Sequence, residues 1–242
     1  DFLVTPFSKE EADVLVDEIG VDFLKIASMD CNNYDFIYHV AKKNLPTILS
    51  TGLSTLEEIN KAVKTFEKSG NKNLILLHCV AIYPPNDEQT NLNRIKTLKK
   101  LYNYPVGFSD HSLGVELSIA SVSLGARVIE KHFTIDKKMK GWDQHMSMDS
   151  EDLKFLSKGV RRVFTALGVS NIFRVESQER ADAFKRSVVA RVNIKNGQII
   201  TKEMLDVKRP GTGLPPEKLN SIIGKQAKRD ISEDELIKQT DY

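Results

Sequence analysis

Two histidines stand where neighbouring strands of a predicted sheet end. His111 closes the run VGFSDH, and His132 closes RVIEKH. Neutral imidazoles that converge at one edge of a parallel sheet, with positions left open for water or substrate, suit a divalent transition metal such as manganese or zinc. Asp110 and Glu130 lie close by in the sequence. Each histidine could equally be a satisfied hydrogen-bonding residue of the scaffold, and the pattern alone leaves both interpretations open.

A lysine inside an apolar strand is the second chemical signal. Lys25 interrupts the run FLKIAS, and burying an amine is costly unless it is paired. Its side chain therefore either enters a polar site or meets a carboxylate. It could bind phosphate or carboxylate, act as a Schiff-base nucleophile, or simply pack inward. Small donors suited to phosphate oxygens end other strands: Ser28, Thr51 with Gly52, and Ser109.

Short apolar runs alternate with amphipathic stretches over the first two thirds of the chain, which predicts βα units around a parallel sheet. Two helices begin with capping-box patterns, at Ser8 with Glu11 and at Ser54 with Glu57. The strand candidates are Phe2–Pro6, Phe23–Ser28, Pro46–Thr51, Leu74–Pro84, Val106–Ser112 and Arg127–Thr134.

Polar residues end nearly every candidate strand, which favours a (β/α)₈ barrel, because such barrels gather their active sites from many strand ends. An open doubly wound sheet would concentrate its site at one switch point. Six candidates are found where a barrel needs eight strands, so the barrel is incomplete or the sheet is open.

The pattern predicts three regions. Residues 1–168 form the βα region, and residues 169–186 form a charged linker with a helical turn or two. Residues 187–242 form a small module around KRPGTGLPPEKL.

Composition is that of an ordinary globular protein, with 40% apolar and 28% charged residues and a net charge of +2. This balance gives no reason to expect nucleic acid or a membrane surface as a partner. No apolar run reaches the roughly 18 residues of a membrane span. Cys31 and Cys79 fit a reduced protein better than a disulfide framework, which predicts a cytoplasmic location.

A set of specific segments follows in order along the chain: FLKIAS, ILSTGLST, LLHCVAIYPP, GFSDHS, IEKHFT, GWDQHMSMD, RSVVAR, IKNGQIIT and KRPGTGL. Taken together, these segments resemble the sialic acid synthase family, whose relatives make legionaminic and pseudaminic acids or spore-coat sugars. The resemblance implies a (β/α)₈ TIM barrel followed by a small antifreeze-like (SAF) domain. The six strands would be the third to eighth of the barrel. About a hundred residues carrying the first two would then lie outside this sequence.

The resemblance also implies roles for individual residues. His111 and His132 would bind the metal, Mn²⁺ first, with Mg²⁺ or Co²⁺ possible. Four residues would hold phosphoenolpyruvate: Thr5, Lys25, Ser28 and Ser109. Three would contact the sugar: Tyr83, Asp143 and Arg209. The implied catalytic set is Asp30, Lys25, His111 and His132, with Asp30 in a place that relatives usually fill with glutamate.

Arg209 would reach the barrel of a neighbouring subunit, which implies a domain-swapped homodimer. The implied reaction condenses phosphoenolpyruvate with N-acetylmannosamine or a diacetamido hexose to give a sialic-type acid and phosphate. Departures from the family pattern at Asp30, Ala81 and Gln144 favour a modified hexose. The alternatives are a class I lyase or aldolase that uses Lys25, and a non-catalytic carbohydrate-binding protein.

Overall fold

The computed structural model describes residues 2–242, which form two compact units. The first extends to Val169, and the second runs from Ser170 to Tyr242. Among the described helices, none is both long and apolar enough to span a bilayer.

The first unit is built on one parallel sheet of five strands in sequential order, which curves into a half-barrel. The predicted parallel α/β architecture is confirmed. The strands are β1 (Leu24–Ile26), β2 (Thr47–Ser50), β3 (Leu74–Cys79), β4 (Val106–Asp110) and β5 (Val128–Lys131).

Helices alternate with these strands, together with a π-helical turn at Val14–Ile19 and a 3₁₀ turn at Ser28–Asp30. The α-helices of this unit are α1 (Lys9–Asp13), α2 (Tyr34–Lys42), α3 (Leu56–Lys68), α4 (Asp87–Thr90), α5 (Arg94–Leu101), α6 (Glu116–Ser123) and α7 (Ser150–Leu167).

Burial explains why the apolar runs form parallel strands. All four residues of β2 and all five of β4 are buried, as expected for strands covered on both faces. A core beneath β1–β3 includes Leu24, Leu49 and Phe66, each fully buried. Burying each side chain of this size contributes about 1.5–3 kcal/mol relative to exposure.

The first predicted strand is wrong. Between Phe2 and Pro6 the chain makes one isolated parallel bridge, from Val4 to Leu24. Pro6 has no N–H to donate to a ladder, and Ser8 already begins α1 by accepting a hydrogen bond from the N–H of Glu11 at 3.1 Å.

The capping pattern before α3 is shifted by one residue from the predicted Ser54–Glu57 pair. The cap is Thr55, whose hydroxyl accepts from the N–H of Glu58, while the Glu58 carboxylate accepts from the N–H of Thr55 at 2.8 Å. The Ser54 hydroxyl instead donates to the carbonyl of Gly52 at 3.1 Å. The Ser54 hydroxyl therefore bonds within the turn before the helix, and the Thr55 hydroxyl caps the helix.

The second unit contains an antiparallel strand pair, β6 (Ser187–Ala190) and β7 (Leu205–Lys208), around its own apolar core. Helix α8 (Gln178–Phe184) lies within the predicted linker, and the short α9 spans Leu219–Ile222. The carbonyl of Asp182 in α8 accepts a hydrogen bond from the N–H of Gly211 at 2.6 Å. The helix is therefore tied to the loop after β7. Short 3₁₀ turns complete the unit at Lys202–Met204, Pro216–Lys218 and Gln239–Asp241.

We expect Gly107→Ala to destabilise the first unit by about 1–3 kcal/mol. A Cβ at this position would lie 2.4 Å from the carbonyl oxygen of Val128 and 2.5 Å from Cδ2 of Leu77, and the backbone oxygen cannot move aside. The matched control is Gly159→Ala in α7, where the nearest atom is the flexible end of Ile119 and alanine improves helix propensity. Urea unfolding should separate the two variants, and equal midpoints would contradict this packing argument.

Candidate active site

A polar cavity of about 250 Å³ opens at the carboxyl-terminal edge of the parallel sheet. It draws side chains from all five strand ends. Its lining includes Lys25, Ser28, Met29, Ser50, Leu53, Cys79, Tyr83, Ser109, His111 and Glu130. Two of these residues are charged, one cation and one anion.

Lys25 and Glu130 form an ion pair across the concave face of the sheet. The Lys25 Nζ lies 3.4 Å from Oε2 of Glu130, and the hydroxyl of Ser109 donates to Oε1 of the same carboxylate at 2.7 Å. Lys25 therefore points into the polar site rather than packing inward against apolar residues. Its amine and the Glu130 carboxylate are the charged groups that an incoming ligand meets.

Close backbone approach shapes the floor of the cavity beside Lys25. The hydroxyl of Ser28 accepts a hydrogen bond from the N–H of Gly52 at 3.1 Å. A Cβ at Gly52 would lie 2.8 Å from that hydroxyl and 3.1 Å from the Cys79 sulfur. Glycine is therefore needed where the β2 turn passes over Ser28.

Ser50 is a lining residue that the sequence analysis missed. Its buried hydroxyl has no hydrogen-bond partner among the described residues. The hydroxyl of Thr51 donates to the carbonyl of Leu77 at 2.9 Å, so it belongs to the scaffold. Successive side chains along a strand point to opposite faces. Ser50 and Thr51 could therefore have been distinguished from the sequence if it had been known which face of β2 lines the cavity. An unsatisfied buried hydroxyl is costly and is available to a ligand.

The two histidines lie together at the edge of the cavity. Their ring centroids are 5.2 Å apart, and the Tyr83 ring packs on both, at 4.2 Å from His111 and 5.9 Å from His132. The Nδ1 of His111 lies 3.2 Å from the carbonyl oxygen of Val80. A carbonyl can only accept, so Nδ1 carries the hydrogen and the neutral ring keeps its lone pair on Nε2.

Burial, followed by the neighbouring His132, lowers the pKa of His111. A neutral imidazole is the form that binds metal ions. Asp143, on the loop after β5, places Oδ2 3.7 Å from Nδ1 of His132. Within residues 2–242, no three histidine, cysteine or carboxylate side chains cluster at ligand spacing. The described part of the chain therefore offers a pair of imidazole donors rather than a closed metal site.

Five of the predicted site residues lie outside the cavity lining: Thr5, Asp30, His132, Asp143 and Arg209. Thr5 lines a separate depression beside α1. Asp30 ends the 3₁₀ turn and accepts from the side chain of Asn33 at 3.2 Å. Arg209 is exposed in the second unit, with its guanidinium 5.1 Å from the centre of the Phe184 ring. Their functional roles stay predictions.

A further histidine at a strand end belongs to the scaffold. The Nε2 of His78 lies 2.7 Å from the carbonyl of Thr90, and its ring stacks on Phe108 at 5.7 Å. Burial lowers the pKa of His78 as well.

Comparison with known proteins adds a family relationship. A family model described as the NeuB family matches residues 1–171, and a model described as the SAF domain matches residues 185–242. N,N'-diacetyllegionaminic acid synthase of Campylobacter jejuni is 38% identical over 98% of this chain and 72% of its own length. Pseudaminic acid synthase of the same species is 37% identical over 98% of this chain and 69% of its own length.

A solved structure agrees with these relatives. The N-acetylneuraminic acid (sialic acid) synthetase of Leptospira borgpetersenii, crystallised with citrate, matches 73% of this chain and 61% of that chain. Its sequence identity is 39% and its TM-score is 0.69. The chain thus spans roughly 70% of the length of the two curated relatives.

We expect His78 and His111 to titrate below the ordinary value of 6.5. The unfolded chain then binds more protons than the folded one below that pH. The stability contribution of these histidines is therefore complete above pH 6.5 and is lost as the pH falls towards their folded pKa values. Imidazole NMR titration measures both, with His78→Gln and His111→Gln assigning the signals. Either ring titrating at or above 6.5 would refute the burial argument.

Proposed function

The chain belongs to the NeuB family, and we propose that it condenses phosphoenolpyruvate with an N-acetylated amino sugar to give a sialic-type acid and phosphate. The observation that carries this proposal is one cavity lined by the Lys25 amine, serine hydroxyl groups and the His111 imidazole, with the His132 imidazole next to His111. Relatives named for legionaminic and pseudaminic acids support a diacetamido hexose as the sugar.

Phosphoenolpyruvate would bind between Lys25 and the hydroxyls of Ser28, Ser50 and Ser109. These groups line the cavity from β1, β2 and β4. Hydroxyl donors and an amine match the oxygens of a phosphate and a carboxylate. Thr5 is a further predicted ligand of the same substrate.

The charges of the cavity support a divalent cation. Lys25 and Glu130 cancel one another, so a ligand carrying both phosphate and carboxylate needs additional positive charge. His111 and His132 fit this need, since His111 is held neutral with Nε2 unprotonated. We propose Mn²⁺ at this pair, with Mg²⁺ or Co²⁺ as alternatives. When bound, the ion supplies Lewis-acid polarisation of the sugar aldehyde.

The chain's own residues would orient the reaction. C3 of the enolpyruvate attacks the carbonyl carbon of the open-chain sugar, water adds at C2, and the C–O bond breaks to release phosphate. Lys25 and the serine hydroxyls stabilise charge on the phosphate and carboxylate throughout. Tyr83 and Asp143 would hold the sugar beside the histidines, and Asp30 is the predicted catalytic carboxylate.

The half-barrel would be part of a complete (β/α)₈ barrel, closed by further strands between its β1 and β5 edges. The sequential parallel order and the concave polar face support this arrangement. An unpaired edge of a parallel sheet is otherwise exposed to non-specific pairing.

The protein would act as a domain-swapped homodimer in the cytoplasm. Exposed apolar side chains line the cavity at Met29 and Leu53, with 65% and 75% of their surfaces accessible. Such exposed apolar groups favour a covering partner surface. Exposed Arg209 would enter the partner's barrel and contact the sugar. The unpaired, buried thiols of Cys31 and Cys79 support a reducing compartment.

The two alternatives fit the site less well. A Schiff-base lysine needs an amine that is free to attack a carbonyl carbon, whereas the Lys25 amine is paired with the Glu130 carboxylate at 3.4 Å. A carbohydrate-binding protein has no need of a lysine and hydroxyl groups suited to phosphate beside paired imidazoles.

We expect phosphate release from phosphoenolpyruvate to require both a sugar and a divalent cation. The assay would use N-acetylated and diacetamido hexoses, with Mn²⁺ or with chelator. Lys25→Met should lower kcat/KM for phosphoenolpyruvate by about 100-fold or more, since a charged group at the reacting ligand is lost. Lys42→Met, at an exposed lysine on α2, is the matched control.

Two results would redirect this assignment. Borohydride trapping of a metal-independent adduct on Lys25 would establish the lyase alternative. Folded protein that binds the sugars but releases no phosphate would establish the binding-protein alternative.

Subunit complementation tests the swapped dimer. We expect His111→Ala and Arg209→Ala each to be inactive alone. Co-expression should restore about a quarter of wild-type activity, because half of the dimers are mixed and each of those has one intact composite site. No restoration, in dimers shown to be mixed, would mean that Arg209 acts within its own chain, and an active Arg209→Ala variant would mean that Arg209 has no role in the site.

A further inference from the structure

A buried ion pair joins the two residues that directly precede the histidines in the sequence. Oδ2 of Asp110 is 3.0 Å from Nζ of Lys131, and the two side chains are 0% and 2% exposed. Among the ion pairs of residues 2–242, no other has both partners so fully buried. Neither residue lines the cavity.

Both charged groups make further hydrogen bonds. The Oδ1 of Asp110 accepts from the N–H of Ser112 at 2.8 Å and from its hydroxyl at 2.6 Å, and Oδ2 also accepts from the hydroxyl of Ser118 in α6. Lys131 donates in addition to the carbonyl of Ser112 at 2.7 Å. With its oxygens occupied, Asp110 is not available as a metal ligand, although it adjoins His111.

The position of the pair in the sheet is specific. Asp110 and Lys131 are the last register partners between β4 and β5, and His111 and His132 directly follow the two strands. Ser109 and Glu130, one residue earlier, face the cavity and bond to each other. Because side chains alternate along the strands, the ion pair lies on the outer face of the sheet. The pairs before and after it, Ser109 with Glu130 and His111 with His132, face the site.

A buried pair of this kind contributes little net stability compared with apolar residues of the same volume. Its physical effect is on register. A slip of β5 against β4 would separate two buried charges and would also turn Glu130 and His132 away from the cavity.

We propose that Asp110 and Lys131 are positioning residues that fix the spacing of His111 and His132 for a divalent cation. This inference rests on the metal role proposed above. The pair acts through the backbone of the two strand ends and touches neither substrate nor metal.

The test is Mn²⁺ affinity in the absence of substrates, measured by EPR of free Mn²⁺ during titration of the protein. The variant is Asp110→Asn with Lys131→Met, which removes both charges together and keeps the side-chain volumes. We expect the Kd for Mn²⁺ to rise about 10–100-fold, with the far-UV circular dichroism unchanged.

The matched control is Asp13→Asn with Lys43→Met. It removes another ion pair of the first unit, at 2.8 Å between the last residue of α1 and the residue that follows α2, and should leave Mn²⁺ affinity unchanged. If the first double variant does not fold, Ser118→Ala removes one hydrogen bond from Asp110 and should weaken Mn²⁺ binding by a smaller factor.

The outcomes separate this inference from the proposed function. Wild-type affinity in the folded double variant, or in Ser118→Ala should that variant be needed, together with loss of binding in His111→Ala, would overturn the positioning role alone. A wild-type protein that binds no Mn²⁺, or binding that survives His111→Ala, would overturn the proposed metal site and this inference with it.

Discussion

The contact between Lys25 and Glu130 is the interaction on which the site depends. They belong to the first and last strands of the five-stranded sheet, which in a flat sheet would lie roughly 19 Å apart at a spacing of about 4.8 Å per strand. Their charged atoms are 3.4 Å apart. The sheet must therefore curve until its outer strands face one another, and that curvature turns a row of strand ends into a cavity.

The two faces of the strand ends have different roles. On the outer face, Asp110 and Lys131 bond to each other, and Ser112 and Ser118 add further hydrogen bonds to the pair. On the concave face, the hydroxyl of Ser50 has no partner among the described residues. The buried side-chain polar atom that lacks a partner among the described residues thus lies in the cavity lining, which is a distribution expected of a functional site.

Several hydrogen bonds restrain the exposed loop that follows β7 in the second unit. The hydroxyl of Ser187 donates to the carbonyl of Pro210 at 2.7 Å and accepts from the N–H of Gly213 at 2.8 Å. Helix α8 adds the bond to Gly211 and the Phe184 ring beneath Arg209. An arginine presented on a restrained loop loses less conformational entropy when it meets a ligand. This organisation supports the proposed role of Arg209 in a partner's site.

The sequence by itself determined the alternation of strands and helices, the cap at Ser8 and the placing of His111 and His132 at strand ends. These features are local, since they follow from periodicity and from residues a few positions apart. Ordered motifs along the whole chain also established the resemblance to the sialic acid synthases, which the family match over residues 1–171 confirms.

Only the tertiary structure decided which polar groups enter the site. It placed Ser50 rather than Thr51 in the cavity and brought Glu130 to Lys25, because facing and curvature arise from packing between distant strands. It also reduced the segment around Val4 to one bridge. Strand formation requires a partner as well as a pattern, and neither facing nor partner can be read from one segment alone.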